Sequence, residues 1–109
     1  MTITYQQIAP FGKIVWTKGI FEATEQNQEF RKEVVSFLSR HINHDWGCLT
    51  SKDDAASNDR SVKKANGGYI HSGYLASTGQ HVWIITNGYN NHELGAEYCY
   101  TTVLFPKED

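Results

Sequence analysis

Between Thr24 and Ile42 the apolar residues Phe30, Val34, Phe37 and Leu38, with the ring of His41, recur at steps of three and four. This spacing predicts one amphipathic helix with a single stripe to bury. Asn43 and Gly47 tolerate the left-handed conformation that closes a helix, so the helix is expected to finish between them. A second, polar helix is predicted after Ser51-Lys52-Asp53-Asp54, where a hydroxyl precedes a carboxylate by three residues, with Asn66-Gly67-Gly68 as its stop. Its stripe, Ala55, Asn58, Val62 and Ala65, is thin and suits a half-covered surface position. Elsewhere the runs are short, β-branched and aromatic: Gly12 to Thr17, Tyr69 to Leu75, His81 to Thr86 and Tyr98 to Phe105, with Ser77-Thr78-Gly79 as a turn. The last three read as an antiparallel meander. The order strand, helix, helix, strand, strand, strand predicts one α+β domain over residues 1–109, a small antiparallel sheet of about four strands with two helices on one face.

Alternation along the strands puts Tyr69, His71 and Leu75 on one face and Ile70, Ser72 and Tyr74 on the other. His81, Trp83 and Ile85 likewise share a face opposite Val82, Ile84 and Thr86. Large side chains on both faces predict helices over one and exposed aromatic residues on the other, unless the N-terminal segment or a homodimer supplies a second apolar layer. Three Trp, six Tyr and five Phe fit that picture. A formal net charge of −2 excludes a strongly basic nucleic-acid binder and also a dense acidic mimic of DNA. The stretch Asn87 to Gly95 is rich in turn formers and predicts a protruding loop. With no signal peptide and no apolar run of membrane-spanning length, a cytoplasmic location is expected, with Cys48 and Cys99 as free thiols.

Unusual chemistry concentrates in Arg40-His41-Ile42-Asn43-His44-Asp45-Trp46-Gly47. His41, His44, Asp45 and Cys48 are suitable donors for a divalent metal, but the Gly47 break leaves the fourth ligand unplaced. The competing reading has His41 closing a helix, Asp45 holding its neighbours by hydrogen bonds and Trp46 lying on the sheet. That reading is preferred, and neither a cofactor nor a resident metal is expected. A cysteine nucleophile with a histidine base has no local support. Arg60, Lys63 and Lys64 fall late in the second helix among Asp53, Asp54 and Asp59, the pattern of a solvated face.

Several short motifs occur together: Gly12-Lys13-Ile14-Val15, Arg40-His41 followed by Asp45-Trp46-Gly47, Trp83-Ile84-Ile85-Thr86, and Thr101-Thr102-Val103-Leu104-Phe105-Pro106. In these the chain resembles a small family of proteins found on bacterial plasmids, conjugative elements and prophages. The resemblance implies a setting on mobile elements rather than a reaction. It also marks a departure, because the family follows the Trp-Ile-Ile-Thr strand with a short acidic-then-arginine turn, where this chain has the longer Asn87 to Glu97 loop. The expected function is a non-enzymatic protein-binding module that inhibits a host defence protein or ribonucleoprotein complex, such as a CRISPR effector or restriction enzyme. Tyr89, Asn90, Asn91, His92 and Glu93 are the expected contact residues, with Asp45 and Trp46 as support or a second patch. The alternative is RNA binding or cleavage by a toxin-like fold, enlisting His71, His81, Tyr74 and Arg60. Direct nucleic-acid binding is ranked lower, since no Arg or Lys lies in the predicted strands from Tyr69 to Phe105.

Overall fold

The structure, a computed structural model, describes residues 2–8, 10–63, 68–90 and 99–109, with side chains described from residue 10 onwards. Its elements are β1 (Thr2–Ile8), β2 (Gly12–Thr17), α1 (Lys18–Gln26), α2 (Gln28–Ile42), α3 (Lys52–Lys63), β3 (Gly68–Leu75), β4 (His81–Tyr89), β5 (Tyr100–Leu104) and a final 3₁₀ turn, Pro106–Glu108. The α+β class and the β3-β4-β5 meander are as expected. The sheet differs: it has five strands in the order β1-β2-β5-β4-β3, and β2 runs parallel to β5, so it is mixed rather than antiparallel. Three α-helices stand where two were expected. Asn27 interrupts the helix predicted from Thr24 to Ile42 by turning extended, and its side chain caps α2 by accepting from Phe30 N at 3.1 Å. Thr17 does the same for α1, accepting from Ile20 N. Helix α1 therefore starts at the residue after β2, with Gly19 inside it.

The stripe of α2 buries Phe30, Val34, Phe37 and His41 against the sheet. Phe37 stacks on Tyr74 at 5.0 Å and Phe30 on Phe105 at 5.9 Å, within the main cluster of Ile14, Trp16, Ile20, Tyr74, Val82, Ile84 and Val103. A smaller cluster, Phe11, Trp46, Ile70 and Tyr89, is completed by Ile42, Ala55 and Val62. Strand β4 runs on to Tyr89, which is 7% exposed and meets Phe11 edge-on at 5.1 Å. Tyr89 is thus a core residue and not part of a protruding loop. No helix among the described residues is long and apolar enough to cross a membrane.

Helix α3 lies against the edge strand rather than over a face. Asn58, 2% exposed, donates from Nδ2 to His71 O at 2.8 Å and accepts from His71 N at 3.0 Å, so its amide stands in for the peptide of a neighbouring strand. Ser61 donates to Tyr69 O at 2.8 Å, while Leu49 N donates to Gly73 O and Thr50 Oγ1 accepts from Gly73 N at 2.9 Å. From Tyr69 O to Gly73 the outer edge of β3 is in this way occupied, and closed to a further strand there. Ser51 Oγ accepts from Asp54 N at 3.0 Å, the cap that the sequence predicts. Replacing Asn58 with alanine leaves two strand-edge groups without partners. Urea unfolding is expected to show a loss of about 2 kcal/mol, with faster amide exchange at His71.

Candidate functional site

The Arg40-to-Gly47 cluster is built as a joint. Helix α2 ends with His44 in the left-handed region at φ 66°, His44 N bonding to His41 O at 3.1 Å and Asp45 N to Arg40 O at 2.8 Å, the paired pattern of a Schellman closure. Arg40 then reaches across the turn to Asp45 with Nε–Oδ2 at 2.8 Å, and its guanidinium lies over the Tyr74 ring at 5.0 Å. The hydrogen bond to Arg40 holds the Asp45 carboxyl below the usual carboxylate range. Tyr74 donates its hydroxyl to Asp45 O at 2.7 Å, and burial pushes its pKa up to about 12. Trp46, 7% exposed, donates to Asp59 Oδ1 at 2.9 Å and ties the joint to α3. Asp45 and Trp46 are therefore supports for the fold.

His41 is fully buried with both ring nitrogens engaged, Nδ1 at 2.5 Å from Ser72 Oγ and Nε2 at 2.8 Å from Thr86 Oγ1. The proton directions follow from the far end of the network. Thr101 donates to Phe11 O at 2.9 Å, which uses its one hydroxyl proton, so Thr86 must donate across the 2.7 Å contact to Thr101. Thr86 then accepts from His41 Nε2–H, and Ser72 donates to Nδ1. Burial, with the neighbouring His44 and His71, lowers the His41 pKa from 6.5 to about 3, in keeping with a neutral ring. Such a ring has no free nitrogen for a metal or a substrate. Among the described residues no group of three or more His, Cys, Asp and Glu side chains is placed to hold a metal. Cys48 is exposed, and Cys99, one residue before β5, donates to Pro10 O at 3.2 Å.

The surface with unspent contact capacity is the sheet face away from α1 and α2. Its side chains line up in rows across β3, β4, β5 and β2: Gly73, Trp83 and Leu104; His71, Ile85, Thr102 and Val15; Asn87, Tyr100 and Lys13, with Tyr69 at the β3 end of that last row. Tyr69 is 51% exposed, Leu75 49% and Tyr100 37%. His71 meets Trp83 edge-on at 4.6 Å beside a small notch of about 100 Å³ that Leu49, Thr50 and Asp54 complete. At the other end a groove of about 340 Å³ lies between Tyr69 and Tyr100 over Ile85, Asn87 and Thr102, with Glu108 and Asp109 on its rim. Burial pushes the Glu108 carboxyl up, but hydrogen bonds from Thr17, Phe105 N and Gly19 N outweigh it and hold the group below its ordinary pKa. Glu108 is a fixed anion there.

Of the residues predicted to contact a partner, Asn91, His92 and Glu93 lie outside the described residues. Asn90, at φ 58°, donates its backbone N–H to Pro10 O at 2.9 Å. Pro10 O thus receives bonds from both flanks of segment 91–98, Asn90 and Cys99. The groove itself escaped the sequence reading. Alternation grouped Tyr69 with His71 and Leu75, but Tyr100 and the C-terminal carboxylates join them only through the strand order. Comparison with protein-family models, curated proteins and solved structures finds no match.

Proposed function

We propose that this protein is a non-catalytic binding module that docks a protein partner on the open face of its sheet. The observation that carries this reading is the exposed Tyr69, Leu75 and Tyr100 around Trp83 and His71, on a face whose strands carry one cation, Lys13, and no carboxylate. Five strands about 4.8 Å apart and about six residues long give a flat area of roughly 500 Å². That is the scale of the apolar centre within a standard interface of about 800 Å² per partner. The rim decides between partner classes, because Asp54, Glu108 and Asp109 would repel a phosphate backbone and complement a basic protein surface.

The mobile-element resemblance supplies the setting of this proposal: the partner is a host defence protein or complex, inhibited by occupation of its surface. Asn91, His92 and Glu93, the contacts expected from the sequence, remain part of this proposal on sequence grounds alone. The RNA-cleavage alternative has less support. His71 and His81 share the open face, but Tyr74 is buried on the opposite one and Arg60 sits on α3, so the four do not converge.

The test is partner capture from nuclease-treated lysate of the cell that carries the protein. A stoichiometric protein should be retained by the intact chain and by Val35→Asp on the outer side of α2, and lost at least about tenfold with Trp83→Ala or Leu75→Asp, as expected for central interface residues. Recovery of RNA alone, or loss only with Val35→Asp, would sink this reading.

A further inference from the structure

The groove at the Tyr69–Tyr100 end has a chemistry of its own. Tyr69 and Tyr100 flank Asn87 from the two neighbouring strands, which sets their backbones two strand spacings, roughly 10 Å, apart. A planar group in contact on both faces needs about 7 Å, so two leaning tyrosine rings can hold one between them. The Asn87 amide on the floor makes no side-chain hydrogen bond with any described residue, and the Asp109 carboxylate has no such partner either. Glu108 is charged but its oxygens already take three protein donors, so it contributes field rather than a contact. Asp109 and Asp54 are both close enough to raise the Tyr69 pKa further, after burial, which marks the slot as a place of negative potential. Lys13 stands beyond Tyr100 along its row and does not line the groove.

We propose that this groove receives an arginine side chain of the partner protein, its guanidinium lying against the tyrosine rings, donating to Asn87 Oδ1 and pairing with Asp109. This rests on the open face being the docking surface and names what anchors there. Guanidinium fits better than the alternatives. It is flat, so it can stack where an ammonium cannot, and its forked donors match an amide oxygen and a carboxylate together. A nucleobase would also stack, but it would bring its phosphate toward Glu108 and Asp109.

The probe is N-acetyl-arginine amide, titrated into the isotope-labelled full chain and followed by NMR, with the citrulline and lysine amides and adenosine monophosphate as comparisons. The arginine compound should move the Asn87 side-chain amide signals saturably, with a Kd in the millimolar range expected for a single side chain. Tyr100→Ala and Asp109→Asn should each weaken it at least about threefold, the citrulline isostere at least about fivefold, while Tyr100→Phe keeps it. Unchanged dispersion of the remaining signals reports that each variant is folded. No saturable shift by about 50 mM, equal binding of citrulline, or preferred binding of the nucleotide would overturn the assignment. Capture that depends on Trp83 and Leu75 without arginine binding would end this inference and leave the docking surface standing. Arginine binding without any partner on the face would do the reverse.

Discussion

Replacing His41 with alanine is expected to lower the unfolding free energy by about 4 kcal/mol. Two losses combine. The fully buried ring is removed from between Phe11 and Trp46, 5.5 and 5.7 Å away, and the hydroxyls of Ser72 and Thr86 each lose one hydrogen bond in the same dry space. The pH dependence identifies the cause. The folded chain holds the His41 pKa near 3, whereas the unfolded chain has the ordinary 6.5. The unfolded state therefore takes up a proton first as the pH falls. The stability tied to neutral His41 is complete above about 6.5 and declines below it by up to about 1.4 kcal/mol per pH unit. Denaturant unfolding at about pH 7 and pH 5 should show a drop of roughly 2 kcal/mol in the intact protein, and a clearly smaller one in His41→Ala. Asp45 and Glu108, whose carboxyls the fold holds low, are present in both proteins, so any loss from them is shared and cancels in the comparison. Equal slopes in the two proteins would mean that the directed Ser72-His41-Thr86-Thr101 chain does not hold the ring neutral.

Gly47→Ala should be nearly as damaging, at about 3 kcal/mol or more, for steric reasons. Gly47 has φ 85°, and a Cβ there would lie 2.2 Å from Gly73 O and 2.6 Å from Tyr74 Cδ1. The 46–50 turn would have to lift from β3, taking with it the bonds of Leu49 and Thr50 to Gly73. Gly79→Ala is the matched comparison, since its φ is 88° but nothing lies within 4 Å of the added carbon. That change should cost only about 1 kcal/mol of backbone strain. Thermal unfolding of the two variants separates close approach from conformation, and similar losses would refute the steric explanation.

Gly47 also shows what could be read from the chain and what could not. The sequence suggests it as a residue suited to helix closure, yet the left-handed closing residue is His44, and glycine at 47 is required by a strand 26 positions away. Local patterns were legible wherever their cause was local. Strand β2, the apolar stripe of α2, the Ser51 cap and the meander all follow from spacing and turn chemistry. The Asn27 break was hidden because the stripe resumes in phase across it. Strand β1 was missed although Thr2-Ile3-Thr4-Tyr5 alternates, and the parallel pairing of β2 with β5 has no local signature at all. At the candidate site, alternation told which strand residues travel together but not which face the helices cover. The groove needed the strand order, because Tyr69, Asn87, Tyr100 and Asp109 come from four separate places in the chain.

That strand order also has a consequence for biosynthesis. The third position in the sheet belongs to β5, the last strand to be synthesised, with β2 on one side and β4 on the other. A nascent chain can form the β1-β2 and β3-β4 hairpins early, but no strand pairs one with the other until residues 100–104 emerge. In that interval β2 and β4 each present an open backbone edge of the kind that recruits other chains. The sheet is therefore completed only once residues 100–104 have been made, and a stalled intermediate exposes two sticky edges that the finished sheet seals within itself.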